Sequence, residues 1–249
     1  MHSISLFLLG IGVGTFGTLV GIGGGIVLVP VFLLILHYPP EDAVGTALTV
    51  VFFNALSGTV AYIRQKKVYY EAAIRFSLAT LPGAVLGSYL SHFFTHRGFS
   101  ISFGILLILI AIFLYTRPHG AAELACEADP TGYNRFTGTW ISTLVGFFSS
   151  VFGIGGGIIH VPAMICLLGF PVHMATATSH FILTFSALFG VISHFLLGNV
   201  LVTPALIIGG GAVIGAQIGA YLSPKVKSQA ISLLLCAALL LVGLRMILK

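Results

Sequence analysis

Apolar residues in this chain form ten runs separated by short polar segments. The runs lie at about 4–20, 26–37, 43–63, 73–92, 99–116, 137–152, 158–169, 175–197, 203–222 and 228–247. Most of them approach the length of about 20 residues that a helix needs to cross a bilayer. The pattern predicts an all-α polytopic membrane protein with about five apolar segments in each half.

The second and seventh runs are too short to cross, because each holds only about 12 residues. Each follows three consecutive glycines, Gly23, Gly24 and Gly25 in the first half and Gly155, Gly156 and Gly157 in the second, and each contains one proline, Pro30 or Pro162. Glycine raises the entropy cost of a helix and proline removes an amide donor. We expect a broken or re-entrant element at both places, with the two prolines fixing the break. Non-helical backbone at membrane depth lies against protein or a wet cavity, so we expect the glycines to line a cavity.

The glycine motif belongs to a longer internal repeat. The sequence Gly-Ile-Gly-Gly-Gly-Ile-Val-Leu-Val-Pro, which begins at Gly21, recurs 132 residues later as Gly-Ile-Gly-Gly-Gly-Ile-Ile-His-Val-Pro. The same offset relates Thr46 to Thr178 and holds without insertion over about 70 residues. The halves are therefore copies of one ancestral unit.

A polar segment that contains Pro118, Gly120, Pro130 and Gly132 separates the copies. It predicts three regions: a first transmembrane repeat at 1–116, a cytoplasmic linker at 117–136 and a second transmembrane repeat at 137–249.

Composition and charge support a bilayer environment. The chain is 57% hydrophobic and 7% charged, against about 25% charged residues in soluble domains. No Asp, Glu, Lys or Arg lies between Arg135 and Lys225. The net charge of +5 is spread over loops, so we expect the lipid bilayer, and no nucleic acid, as a partner. The sequence predicts no cofactor and no metal.

The distribution of basic residues predicts orientation. Eight Lys and Arg residues fall on one side of the ten segments and three on the other, which places the first side in the cytoplasm and both termini outside a cell (inner) membrane. The loop after the third segment is basic only in the first half, whereas the loop after the fourth is more basic in the second, with Lys225 and Lys227. This opposite bias, with an odd number of segments per copy, predicts two inverted repeats and a substrate site near the midplane.

The glycine clusters are the first candidate binding site. A helix that begins after Gly25 or Gly157 has unpaired amides and the positive end of its dipole there, and the absent side chains let a ligand approach the backbone. Such a site binds an anion without Lys or Arg. Close helix packing is the alternative, and we prefer it for the isolated glycines such as Gly14 and Gly87.

Polar residues that follow the short runs extend the candidate site. Thr46 and Thr178 are retained in both copies, and their hydroxyls either donate to the anion or cap a helix start, two roles that the sequence leaves open. Asn54, Ser179 and His180 complete the set. We expect His180 to add a donor or to carry a coupling proton.

The histidines of the second half raise a metal-binding alternative. His173, His180 and His194 recur at multiples of seven, and His160 lies in the second glycine motif. Imidazoles bind metals, but none of these has a counterpart in the first half, and we prefer polar residues satisfied within the helix bundle. No carboxylate lies within the apolar runs, although a buried cation needs one as a partner. A small anion therefore fits better than a cation.

The paired G-x-G-G-G-x-x-x-x-P motifs, the A-x-x-T runs after them and the G-A-x-x-G segments at Gly83 and Gly215 resemble the sulfite exporter TauE/SafE family of membrane anion permeases. The resemblance implies an inner-membrane carrier of sulfite, sulfoacetate or other organosulfonates. It also implies about eight spans, so that two of the ten segments re-enter rather than cross.

We therefore expect a secondary transporter that binds a small sulfur-containing anion at its helix breaks and works by alternating access. Coupling to protons or to sodium and the oligomeric state stay open. An anion channel and a metal-ion transporter that uses the histidines are the alternatives. An intramembrane enzyme fits poorly, because the sequence has no recognisable nucleophile motif and no carboxylate that would orient a histidine.

Overall fold

Ten α-helices form the part of the chain that the computed structural model describes, residues 3–91, 93–116, 132–226 and 228–248. The helices of the first half are α1 (Ser3–Val20), α2 (Gly25–Leu34), α3 (Pro40–Arg64), α4 (Tyr70–Ser91) and α5 (His96–Thr116). Those of the second half are α6 (Arg135–Phe152), α7 (Gly157–Cys166), α8 (Val172–Leu196), α9 (Val202–Leu222) and α10 (Ser228–Leu248), with a 3₁₀ turn at Ser223–Lys225. The described residues include no β-strand. The predicted all-helical class and its ten segments are confirmed.

The helices differ in length as the apolar runs predicted. Five of those described are long and apolar enough to cross a membrane: α1, α3, α4, α8 and α9 with the turn that follows it. By contrast, α2 and α7 have ten residues each. At a rise of about 1.5 Å per residue they reach only about half of the 30 Å hydrocarbon core.

Four residues separate each short helix from the long helix before it. We call Gly21–Gly24 break one and Gly153–Gly156 break two. In both, the first, third and fourth residues are glycines with φ between 71° and 86°, a backbone conformation that costs other residues about 1–2 kcal/mol. Glycine therefore makes each break.

The structure places Pro30 and Pro162, which we predicted to fix the breaks, inside the short helices. Each proline is the sixth residue of its short helix, buried, and well beyond the break. A missing amide at that position removes one helical hydrogen bond but does not turn the chain. The left-handed glycines before the helix have already done so.

The two halves make matching contacts. The most extensive helix contacts are α1 with α9 and α4 with α6, and α3 packs on α9 as α8 packs on α4. Under the offset of 132 residues each of these contacts is a copy of its partner. Glycines lie where these helices approach each other closely. A Cβ on Gly14 would meet the backbone of Ala212, and a Cβ on Gly146 would meet that of Thr80. The contacts that one half makes are thus repeated, residue for residue, by the other.

Equivalent helices run antiparallel where they touch. On α3 and α8, Gly45 lies near His194 whereas Gly58 lies near His180. On α5 and α10, Gly104 lies near Gly243, and Cys236 contacts the carbonyl of Ala111. The start of each of these helices therefore lies beside the end of its equivalent.

An ion cluster joins the starts of α4 and α6. Arg135 Nη2 lies 3.0 Å from Glu71 Oε1, and the Tyr69 hydroxyl donates to Glu71 Oε2 at 3.2 Å. Burial raises the pKa of Tyr133, and the neighbouring Glu71 carboxylate adds to that shift. Arg135 is thus the first residue of α6, although we placed it in the linker, and linker residues 117–131 lie outside the described part of the chain.

Candidate functional site

The two breaks meet each other. A Cβ on Gly25 would lie 2.5 Å from the carbonyl oxygen of Gly153, and a Cβ on Gly157 would overlap the carbonyl oxygen of Gly21. All residues of both breaks are buried. The structure therefore brings the two predicted glycine clusters together. In this conformation they pack against protein, whereas we expected them to line a cavity.

Side chains of α3 and α8 pack on the breaks from both halves. Val51 and its equivalent Leu183 each lie against both Gly23 and Gly155. Because these side chains come from equivalent positions, the same apolar pair packs on both clusters. The two glycine backbones are therefore covered by one pair of apolar side chains.

Unpaired amides remain at the start of each short helix. The Gly24 carbonyl accepts from the amides of Val27 and Leu28, at 3.1 and 3.2 Å. In the described residues, the amides of Gly24, Gly25 and Ile26 have no acceptor, and neither do their equivalents at 156–158. Since the positive end of a helix dipole lies at the same place, both breaks present donors suited to an anion.

The hydroxyls of Thr46 and Thr178 both accept hydrogen bonds from the protein backbone. Thr46 Oγ1 accepts a hydrogen bond from the amide of Leu201 at 3.0 Å, and Thr178 Oγ1 accepts one from the amide of Tyr69 at 3.0 Å. These amides directly precede α9 and α4. Each threonine thus bonds to the start of a distant helix rather than capping its own.

Valine at Thr46 or Thr178 is expected to destabilise the protein by about 1 kcal/mol, as the loss of a helix cap does, and to leave the KM for transport unchanged. The matched control is Thr49→Val, since the Thr49 hydroxyl only bonds back to the Gly45 carbonyl of its own helix at 2.9 Å. Thermal unfolding in detergent and transport kinetics measure both quantities. A raised KM at unchanged stability would instead show that the hydroxyls bind the anion.

A buried polar cluster lies beside break one and comprises Thr18, Asn54, Tyr62 and His180. The Thr18 hydroxyl donates to Asn54 Oδ1 at 3.1 Å, so His180 Nε2, 3.2 Å away, donates to Thr18 Oγ1. The Tyr62 hydroxyl donates to the Thr18 carbonyl at 2.8 Å. Asn54 Nδ2 and His180 Nδ1 have no hydrogen-bond partner in the described structure, although both residues are fully buried.

Three of the predicted site residues therefore gather at break one: Asn54, His180 and Ser179, whose hydroxyl lies 3.5 Å from the Gly21 carbonyl. Sequence reasoning missed Thr18 as a member of this cluster. Its counterpart 132 residues later is Ser150. A hydroxyl retained in both copies, just before the break, was the signal that would have found it.

The second-half histidines have separate partners. His194 Nε2 donates to the Ser150 carbonyl at 3.1 Å. The residues equivalent to His194 and Ser150 in the first half are Tyr62 and Thr18, and they form the same side-chain-to-carbonyl bond. His160 Nε2 lies 3.0 Å from Ser142 Oγ. Within the residues that the structure describes, no three His, Cys, Asp or Glu side chains lie together as metal ligands would.

Comparison with known proteins identifies the group to which this architecture belongs. The model of the sulfite exporter TauE/SafE family matches residues 6–246. The chain belongs to the TauE/SafE family. The family resemblance of the paired glycine motifs is thereby confirmed.

Relatives of this TauE/SafE protein include the probable membrane transporter protein YunE of Bacillus subtilis, 38% identical over 99% of this chain and 98% of the relative. The probable membrane transporter protein MJ0441 of Methanocaldococcus jannaschii is 28% identical over 98% of this chain and 94% of that relative. No solved structure matches the chain. The protein is thus a multi-pass membrane transporter of the TauE/SafE family.

Proposed function

We propose that this TauE/SafE protein carries small sulfur-containing anions, such as sulfite, sulfoacetate or other organosulfonates, across the inner membrane by alternating access. The observation that carries the proposal is the meeting of two glycine breaks whose helix-start amides have no acceptor in the described structure. Amides of this kind bind an oxyanion without a buried cation. The family name supplies the sulfur chemistry.

The arrangement of the helices supports an inverted repeat. Equivalent helices are antiparallel where they touch, as a pseudo-two-fold axis perpendicular to the bundle would make them. When the bundle spans a bilayer, this axis lies in the membrane plane and the breaks lie near the midplane. Alternating access between inverted repeats places the substrate at this level.

The polar groups at the breaks favour an anion over a cation. The carboxylates in the described residues, Glu41, Asp42 and Glu71, lie in the first turns of α3 and α4, and Glu71 pairs with Arg75 and Arg135. None of them belongs to a break or to the polar cluster beside break one. A cation bound by those groups would lack a carboxylate ligand, and its desolvation would be poorly offset. Backbone amides and hydroxyls suit an oxyanion instead.

Counterflow in proteoliposomes tests the function. Vesicles loaded with unlabelled sulfite should accumulate radiolabelled sulfite transiently, with saturation, because a carrier exchanges one anion for another. Sulfoacetate and taurine test the organosulfonate part of the substrate class, and chloride serves as the control anion. Uptake without saturation or counterflow would identify an anion channel.

Tyrosine at His194 is expected to preserve folding and to keep the transport rate within about twofold, a change of less than 0.5 kcal/mol. The reason is that Tyr62 makes the equivalent bond in the first half. Transport and thermal stability, each measured with and without zinc, check this. Loss of transport in the variant, together with zinc-dependent stabilisation of only the wild type, would favour the metal-ion alternative.

A further inference from the structure

The two breaks have the same fold but different hydrogen bonding. In break one, the amides of Ile22 and Gly23 both donate to the Gly17 carbonyl, at 2.7 and 3.1 Å. In break two, the equivalent amides of Ile154 and Gly155 have no acceptor in the described part of the chain. Both residues are buried. Buried amides without a partner are rare in proteins. Break two therefore has two backbone donors without an acceptor in the described residues, whereas the same two donors of break one bond to the helix before it.

One sequence difference coincides with this asymmetry. A Cβ on Gly17 would lie 2.7 Å from the carbonyl carbon of Gly23 and 2.8 Å from Cα of Gly24, so the closed turn needs glycine there. The equivalent residue in the second half is Ser149. Its carbonyl accepts a hydrogen bond from the Gly153 amide at 2.9 Å but none from Ile154 or Gly155, and the Ser149 Cβ lies 3.5 Å from the position that a Cβ on Gly156 would take.

Three buried hydroxyls of the second half lack a hydrogen-bond partner in the described structure, and that of Ser149 lies beside the open break. The three residues, Ser149, Ser150 and Ser186, are 0%, 0% and 1% exposed. Ser149 Oγ lies 3.6 Å from the Cβ position of Gly156. In the first half, by contrast, the equivalents of Ser150 and Ser186 are Thr18 and Asn54, which bond to each other.

We propose that break two is the subsite that binds the transported anion. The amides of Ile154 and Gly155 and the hydroxyls of Ser149 and Ser150 take a small oxyanion of the sulfite or thiosulfate class, while break one, closed on itself, serves as its structural counterpart. Successive amides in left-handed turns form concave anion sites. The inference rests on the proposed function and specifies where in the pseudo-symmetric centre the substrate binds.

Glycine at Ser149 tests the proposal. It recreates the sequence of break one, so break two is expected to close and its amides to bond to the carbonyl of residue 149. Sulfite and thiosulfate affinities, measured by thermal shift of the purified protein, should fall by at least about tenfold, since charge-assisted bonds are lost. The unliganded protein should at the same time unfold at a higher temperature. A purely structural role for Ser149 does not give weaker binding together with higher stability.

A second variant and a matched control accompany it. Ser149→Ala keeps the Cβ that holds the break open and removes only the hydroxyl, so its affinity should fall less than that of Ser149→Gly. Gly12→Ala, on α1 and outside both breaks, adds a Cβ that meets nothing within 4 Å and should leave the affinity unchanged.

The outcomes distinguish the assignment of the anion to break two from the proposed transport of sulfur-containing anions. Anion binding that is unchanged in both Ser149 variants overturns the assignment to break two and leaves the transporter proposal standing. Absence of stabilisation of the wild-type protein by either sulfite or thiosulfate contradicts the proposed substrate class itself. If Ser149→Gly does not fold, the affinity of Ser149→Ala decides by the same criterion.

Discussion

Alanine at Gly25 or Gly157 is expected to abolish transport and to destabilise the folded protein by about 3 kcal/mol, the upper part of the usual range for overpacking. An added Cβ at Gly25 would lie 2.5 Å from the Gly153 carbonyl oxygen and 2.8 Å from Cα of Ile154. At Gly157 it would meet the backbone of Gly21 and Ile22 in the same way. These neighbours are backbone atoms of the opposite break, so no side-chain rotation relieves the clash.

Gly12→Ala is the matched control, because a Cβ there meets nothing within 4 Å. It should leave stability and transport close to those of the wild type. Thermal unfolding and counterflow in proteoliposomes measure the two effects. Normal stability and transport in Gly25→Ala would show that the protein does not need the close contact between the two breaks, and that the breaks do not form one site.

Leucine at His180 is expected to uncouple transport from a proton gradient. Leucine occupies the equivalent position in the first half, Leu48, which is buried in the same setting, so the variant should fold. His180 is fully buried, and its Nδ1 has no partner in the described structure. We expect gradient-driven accumulation to fall about ten- to hundredfold, as the loss of a hydrogen bond to a charged group implies.

Anion counterflow, which needs no coupling ion, should persist in His180→Leu, because break two is unchanged. Uptake driven by an imposed pH gradient and counterflow without a gradient are measured on the same vesicles. If the variant keeps full gradient-driven uptake, His180 does not carry the proton, and a sodium gradient becomes the next driving force to test.

The contact between the breaks suits a carrier that changes shape. Each break joins a long helix to a short helix that packs mainly on its own half. The first residue of each short helix touches the opposite break, as the contacts of Gly25 with Gly153 and of Gly157 with Gly21 show. A bound anion would bridge these parts and would be released when they separate.

The sequence by itself determined the membrane class, the ten segments and the positions of both breaks. These features depend on local composition. An apolar run of sufficient length forms a helix in a bilayer, because the backbone must satisfy its own hydrogen bonds there. A chain that turns through positive φ needs glycine. The first run, predicted at about 4–20, is accordingly observed at Ser3–Val20. The prolines that the sequence offered as helix breakers lie inside the short helices, and the positive-φ glycines turn the chain before them.

Only the tertiary structure decided which polar groups meet. Thr46 bonds to the Leu201 amide, 155 residues away, and the short-range pattern around Thr46 does not encode that partner. The role of Ser149 is not encoded locally either, because in the sequence it is an ordinary small residue in an apolar run. Its effect becomes visible once the Gly17 carbonyl is seen to close break one. Hydrogen bonds and close contacts between distant segments depend on how the halves pack, and packing is a property of the folded chain.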